Sequence, residues 1–156
     1  MIYDLVVNLY EDDFDDKSIK VKNDKITILR VLSPNADAVI RYIESTFTSG
    51  WASEAKAALY KNHPTCFIAV KGKEIVGFAC YDATAKGYFG PTGVSEAYRG
   101  QNIGQRLLYE SLKGLKQDGY GYAIIGGVSQ AVYAFYARYF SVHKVESKQS
   151  IYKRLV

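Results

Sequence analysis

With 156 residues, 48% of them hydrophobic and 23% charged, the chain has the proportions of one globular domain, which excludes a disordered or fibrous protein. Its formal charge of +4 is uneven: residues 1–24 carry seven acids against three lysines, and the remainder carries 17 basic and 9 acidic residues, a net +8. A cationic body suits anionic ligands. The basic balance brings no zinc finger, basic helix or aromatic RNA motif with it, so nucleic acid is not expected as a partner.

The start, Met1-Ile2-Tyr3-Asp4, lacks the basic flank of a leader. No apolar run approaches the roughly 20 residues that cross a bilayer, so a cytoplasmic protein with no membrane association is expected. Cys66 and Cys80 lie in apolar runs without CxxC spacing, and His63 and His143 are isolated, so no metal site is read. Fourteen tyrosines are the one compositional excess, and amphipathic packing near the surface is their commonest use.

A short apolar start, Ile2 to Leu9, is followed over 11–24 by an acidic, polar stretch that reads as a solvated segment. Lys25 to Leu32 has the composition of a strand, with Ser33-Pro34 as an N-cap and turn. Ala36, Val39, Ile40, Ile43 and Phe47 then recur at helical spacing over about 35–47. Trp51 to Asn62 reads as a second helix, ended by His63-Pro64. The runs Cys66–Val70 and Glu74–Tyr81, separated by Lys71-Gly72-Lys73, predict a hairpin. A turn at 85–87 leads to a further strand, Tyr88 to Val94.

Next comes Arg99-Gly100-Gln101-Asn102-Ile103-Gly104, a loop between that strand and an amphipathic helix. Ile103, Leu107, Leu108, Leu112 and Leu115 fall on one helical face, and Gly119 supplies a C-terminal stop. The first N–H groups of such a helix lack intrahelical partners and its N-terminus carries roughly half a positive charge, so the loop is suited to cradle a phosphate. Tyr122 to Val128 reads as a buried strand. A strand, helix, strand passage here implies a parallel pair in an otherwise antiparallel sheet. Ser129 starts a short helix through Tyr139, and 141–146 with 151–156 would close the chain as a hairpin.

The order of these elements, with Val94 to Gly104 at its centre, resembles the GNAT superfamily of acyl-CoA-dependent N-acyltransferases over roughly residues 25–156. The family's Gln/Arg-x-x-Gly-x-Gly/Ala reads here as Arg99 to Gly104, with Asn102 in place of the first motif glycine. Asparagine is the next most tolerant residue for left-handed backbone, so the loop can keep its shape. Ala131 to Tyr136 resembles the family's Ala-x-x-Phe-Tyr segment, while the usual Gly-Phe after it is replaced by Phe140-Ser141.

The resemblance implies an α/β mixed sheet, mostly antiparallel, with about four helices and one parallel strand pair splayed to hold the coenzyme. Residues 1–156 would form a single domain, with 1–24 as a variable N-terminal extension. It implies acetyl-CoA as co-substrate, its pyrophosphate held by Arg99, Gly100, Gln101, Asn102, Ile103 and Gly104, and its pantetheine arm paired near Val94. It also implies a small-molecule or peptide amine as acceptor, and admits a homodimer. Gly126 and Gly127 suit either close approach of that ligand or a bulge.

Direct transfer of an acetyl group to an amine requires a neutral amine, stabilisation of the developing oxyanion and a proton for the departing thiolate. By resemblance, Tyr136 is the proton donor, and a backbone N–H near Val94 meets the oxyanion. No carboxylate stands at Tyr88, where several relatives carry a glutamate. The candidate bases are Tyr88 with a water, Asp82, or Glu54 on the second helix. Trp51, Tyr81 and Phe89 are candidates for an acceptor wall. The function expected is an N-acetyltransferase working through a ternary complex. The alternative is an acyl-CoA-binding sensor or regulatory domain with little turnover.

Overall fold

A computed structural model describes residues 2–14 and 19–156. Seven strands form one sheet: β1 (Ile2–Asn8), β2 (Ile26–Arg30), β3 (Cys66–Lys71), β4 (Glu74–Tyr81), β5 (Tyr88–Val94), β6 (Tyr122–Ser129) and β7 (Val142–Val145). Their order is β2-β3-β4-β5-β6-β1-β7. All neighbours are antiparallel except β5 and β6. Four helices cover the faces: α1 (Ala36–Thr46), α2 (Ser49–Leu59), α3 (Ile103–Gln117) and α4 (Gln130–Ala137).

The sheet is packed on both faces. Successive side chains of a strand point to opposite faces, and β3 shows the division. Phe67 and Ala69 join the layer beneath α3, while Cys66 and Ile68 join the layer beneath α1 and α2. β4 is buried along nearly its whole length, as a central strand should be. All five residues that define the apolar stripe of α3, from Ile103 to Leu115, are buried. At about 1.5–3 kcal/mol for each fully buried aliphatic side chain, they clamp that helix, and the loop before it, to the sheet. Gly119, at φ +102, ends the α3 segment as its residue type predicts.

Several expectations change. Ser33 caps nothing: Ser33–Asn35 form a 3-10 turn with Pro34 in its first turn and no side-chain cap bond. The cap appears at the second helix instead, where Thr48 Oγ1 accepts from the Trp51 N–H at 3.0 Å. The apolar start is an interior strand, with β1 pairing β6 on one side and β7 on the other.

The acidic stretch is not simply solvated. Asp12 is buried and accepts from the Ser141 N–H at 3.2 Å, and Glu11 accepts from the Ser141 hydroxyl at 2.9 Å. These carboxylates satisfy groups where β7 begins. Phe14 and Ile19 are core residues, and Asp15 and Asp16 lie outside the described residues. The final hairpin does not form: β7 pairs with β1, and 151–154 make a 3-10 turn capped by Ser150. No helix among the described residues is long and apolar enough to cross a membrane.

Candidate active site

The parallel pairing of β5 and β6 lasts two residues, Tyr88 opposite Ile124 and Phe89 opposite Ile125. Beyond that the strands part, and a cleft of about 1600 Å3 opens between them. Small-molecule sites usually measure about 300–1,000 Å3, so this one has room for two substrates side by side. Its lining includes five cations (Lys22, Arg99, Arg138, Lys148 and Lys153) and one carboxylate, Glu54.

At one end stands the loop 99–104. Gly100 has φ +80, and a Cβ built there would meet nothing within 4 Å, so its backbone is open to a ligand. Asn102 occupies the left-handed region at φ 65, ψ 14, and its side chain does not cap α3. The first bond into the helix is from the Arg106 N–H to the Asn102 carbonyl at 3.0 Å, which leaves the donors of the first turn for an anion. Gly104 is small for a packing reason, since a Cβ there would lie 3.3 Å from the Phe135 ring of α4.

The loop is braced by a segment that gives no sequence signal for that role. The Lys22 N–H donates to the Gln101 carbonyl at 2.9 Å, and Asn102 Nδ2 donates to the Lys20 carbonyl at 3.2 Å. Arg106 donates to the Ile19 carbonyl at 3.3 Å. Lys22 itself reaches the cleft lining.

Val94 ends β5 beside this loop. Ser95 donates its N–H to the Val76 carbonyl of β4 at 2.8 Å. Backbone groups alternate sides along a strand, so the N–H of Val94 faces away from β4, into the gap towards β6. Its carbonyl accepts from Arg99 Nε at 3.3 Å. These features fit an extended, anionic ligand: open glycine backbone, free helix N–H groups, cations and an unpaired strand edge. Arg99 to Gly104 would hold its phosphates and Val94 its arm.

Further along, Tyr136 on α4 packs its ring against Phe89 (centroids 6.2 Å) and Phe135 (5.0 Å). It lines the cleft. Burial, with Tyr152 beside it, pushes its phenol up to about 12. Gln105 ties α3 to α4 by donating Nε2 to the Phe135 carbonyl at 2.8 Å, which fixes the helix that carries Tyr136.

The three candidate bases occupy different surroundings. Asp82, at φ 53, lies in the β4–β5 turn. Its Oδ1 accepts from the Gly87 N–H at 2.6 Å and its Oδ2 from the Tyr120 hydroxyl at 3.2 Å, so both oxygens are committed and neither lines the cleft. Tyr88 stands beside Gly126, also outside the lining, and its phenol is raised by burial, with Asp4 adding to the effect. Glu54 lines the cleft, and partial burial raises its carboxyl above the ordinary value while the Thr84 hydroxyl opposes the shift. Of the aromatic candidates, Trp51 and Phe89 line the cleft. Tyr81 is buried instead, its hydroxyl accepting from Arg30 at 2.7 Å.

Tyr152 has no counterpart in the sequence reading, because a closing strand is expected where the 3-10 turn forms. It lines the cleft, and its ring lies 3.2–3.3 Å from where a Cβ on Gly126 or Gly127 would stand. A tyrosine ring therefore occupies the space that those glycines leave open.

A mixed sheet split between its two parallel strands, with a bare helix N-terminus at one end of the split, defines the class of fold. The profile of the acetyltransferase (GNAT) family matches residues 36–141, and the chain belongs to that family. A glucosamine N-acetyltransferase region of a fungal multi-domain GH3 β-N-acetylglucosaminidase superimposes with a TM-score of 0.73 at 16% identity. That match covers 92% of this chain and 20% of that one.

A GCN5-related N-acetyltransferase from Sphaerobacter thermophilus gives 0.64 at 21% identity, covering 92% of this chain and 48% of that one. This chain therefore spans between a fifth and a half of those two proteins. A GNAT family acetyltransferase from Brucella melitensis, solved with acetyl-CoA, gives 0.55 at 19% identity over 80% of this chain and 90% of that one. No protein of curated function matches the sequence.

Proposed function

We propose that the chain transfers an acetyl group from acetyl-CoA to a primary amine, by direct attack of the amine in a complex holding both substrates. The observation that carries this reading is the early parting of β5 and β6, with loop 99–104 at one end of the cleft and Tyr136 and Glu54 within it. Acetyl-CoA, when bound, supplies the activated acyl group. The Brucella relative was solved with this compound, and an aminoglycoside acetyltransferase of the same fold, from an uncultured soil metagenomic sample, was solved with the amine sisomicin.

The chain's residues then divide the work. The Val94 N–H points away from β4 into the cleft, and it is the backbone donor we assign to the carbonyl oxygen that gains charge. Tyr136, kept protonated by burial, donates to the departing sulfur. Glu54 is the base we assign, because it is the candidate carboxylate that lines the cleft, whereas both oxygens of Asp82 are engaged in the β4–β5 turn. Acetyl-CoA should raise the melting temperature, since a ligand that binds only the folded state stabilises it by mass action. No shift at millimolar acetyl-CoA would refute the donor assignment. Release of free thiol that depends on an added amine separates the enzyme from an acyl-CoA-binding sensor.

A further inference from the structure

Between β1 and β2 the chain passes beside the start of α3, and the described part of that passage is tied down closely. Ile19 is buried, and its carbonyl accepts from Arg106 Nη1 at 3.3 Å. The Lys20 carbonyl accepts from Asn102 Nδ2 at 3.2 Å, and the Lys22 N–H donates to the Gln101 carbonyl at 2.9 Å. Residues 19–22 thus form a strap held against the phosphate loop and the first turn of α3. Asn102, which stands where the motif has glycine, is one of the residues that grips it.

Each of these bonds uses the strap's backbone, so the Lys22 side chain is left free while its backbone is fixed beside Gln101. The side chain is exposed, lines the cleft, and has no ion-pair partner among the described residues. Arg99 and the open backbone of Gly100 lie in the same lining, and the one carboxylate there, Glu54, belongs to α2. A cation anchored beside free N–H groups, with no acid to neutralise it, is suited to an anionic ligand. Lys22 also lies outside residues 36–141, the stretch that the family profile matches.

We propose that Lys22 is a coenzyme-binding residue supplied from outside the family's motif, its ammonium receiving a phosphate oxygen of acetyl-CoA from the side of the strap. The inference rests on the acetyl-transfer reading and deepens its donor half. Backbone N–H groups at a helix start offer only partial charge, and Lys22 adds a full one. Asn102 is then a positioning residue, acting through its bond to Lys20. Coenzyme A presents phosphate oxygens in two places, its pyrophosphate and its ribose 3′-phosphate, and the same chemistry serves either.

The test is calorimetric titration of full-length wild type, Lys22→Ala and Lys25→Ala with coenzyme A and with dephospho-coenzyme A, which lacks the 3′-phosphate. Lys22→Ala keeps the N–H that bonds Gln101, and melting without ligand checks that the fold is retained. Lys25 is exposed and outside the cleft lining, so its variant measures the effect of losing any nearby charge.

The expected result is a Kd for coenzyme A raised about tenfold in Lys22→Ala, the low end for a hydrogen bond to a charged group, with Lys25→Ala close to wild type. An equal loss with dephospho-coenzyme A supports a contact to the pyrophosphate, and a loss confined to coenzyme A supports one to the 3′-phosphate. An unchanged Kd for coenzyme A in Lys22→Ala, or an equal loss in Lys25→Ala, overturns the assignment and leaves the donor reading standing. A wild-type protein that binds no coenzyme A at millimolar concentration removes the donor reading, and the role of Lys22 with it.

Discussion

Replacing Asn102 tests the phosphate loop at the point where it departs from the family's glycine. The residue holds φ 65 and donates its side chain to the Lys20 carbonyl at 3.2 Å. Alanine there loses the tolerance of asparagine for left-handed backbone, about 1 kcal/mol at the low end of that penalty. It also loses one exposed hydrogen bond, about 0.5 kcal/mol at the low end of the net range. The sum, roughly 1.5 kcal/mol, corresponds to a fall of about 3–6 °C in melting temperature for a domain of this size.

Glycine forfeits only the hydrogen bond and should lower the melting temperature by about 1–2 °C. Thermal melts of the two variants with and without acetyl-CoA are the assay. Asn102→Ala should also weaken the acetyl-CoA shift, because a loop forced out of the left-handed region turns its N–H groups away, whereas Asn102→Gly should keep it. Equal destabilisation by alanine and glycine would refute the backbone argument and leave the bond to Lys20 as the whole of the effect.

Two further outcomes follow from the titrating groups. Tyr136→Phe should lower kcat ten- to a hundredfold while acetyl-CoA binding is unchanged, read from initial rates and from the melting shift. With the phenol pushed up to about 12, this group imposes no alkaline fall in the wild-type rate below about pH 10, and a fall that Tyr136→Phe abolishes would contradict the assignment. Glu54 must be ionised to accept a proton, and its carboxyl is raised by burial, so the acidic limb of kcat/KM should lie above the ordinary carboxylate range and disappear in Glu54→Gln. A raised folded-state value also means stability that is present below the unfolded value and lost as pH rises through the folded one. Wild type should therefore gain melting temperature relative to Glu54→Gln when the pH is lowered through that window.

The legible parts of this protein are those whose signal is local. The stripe from Ile103 to Leu115 is a repeat within one helix, and the β3–β4 hairpin follows from two apolar runs around Lys71-Gly72-Lys73, with Cys66 set opposite Cys80. What escaped depends on partners far along the chain. Ile2–Asn8 looks like a detachable start until its pairing with β6, more than 100 residues away, makes it interior. Asp12 is one more acid in an acidic run until the N–H of Ser141 needs an acceptor. Asp82 is a base candidate only while the needs of Gly87 and Tyr120 are unknown.

The same distinction separates the proposed donor half of the site from the proposed acceptor half. Val94, the loop 99–104 and the start of α3 are contiguous, so one stretch of sequence carries the strand edge, the open glycine and the free helix N–H groups together. The acceptor half gathers Trp51 and Glu54 from α2, Phe89 from β5, Gly126 and Gly127 from β6, and Tyr152 from the turn after β7. No spacing joins these positions, and each taken alone reads as a surface or core residue. Glycines 126 and 127 show the consequence: in sequence they are compatible with a ligand beside the backbone, but the neighbour that fills their space is a ring from near the end of the same chain. On the proposed reading, changing the acceptor requires changes on several elements at once, whereas a change confined to 94–104 should alter how acetyl-CoA is held and leave amine preference as it was.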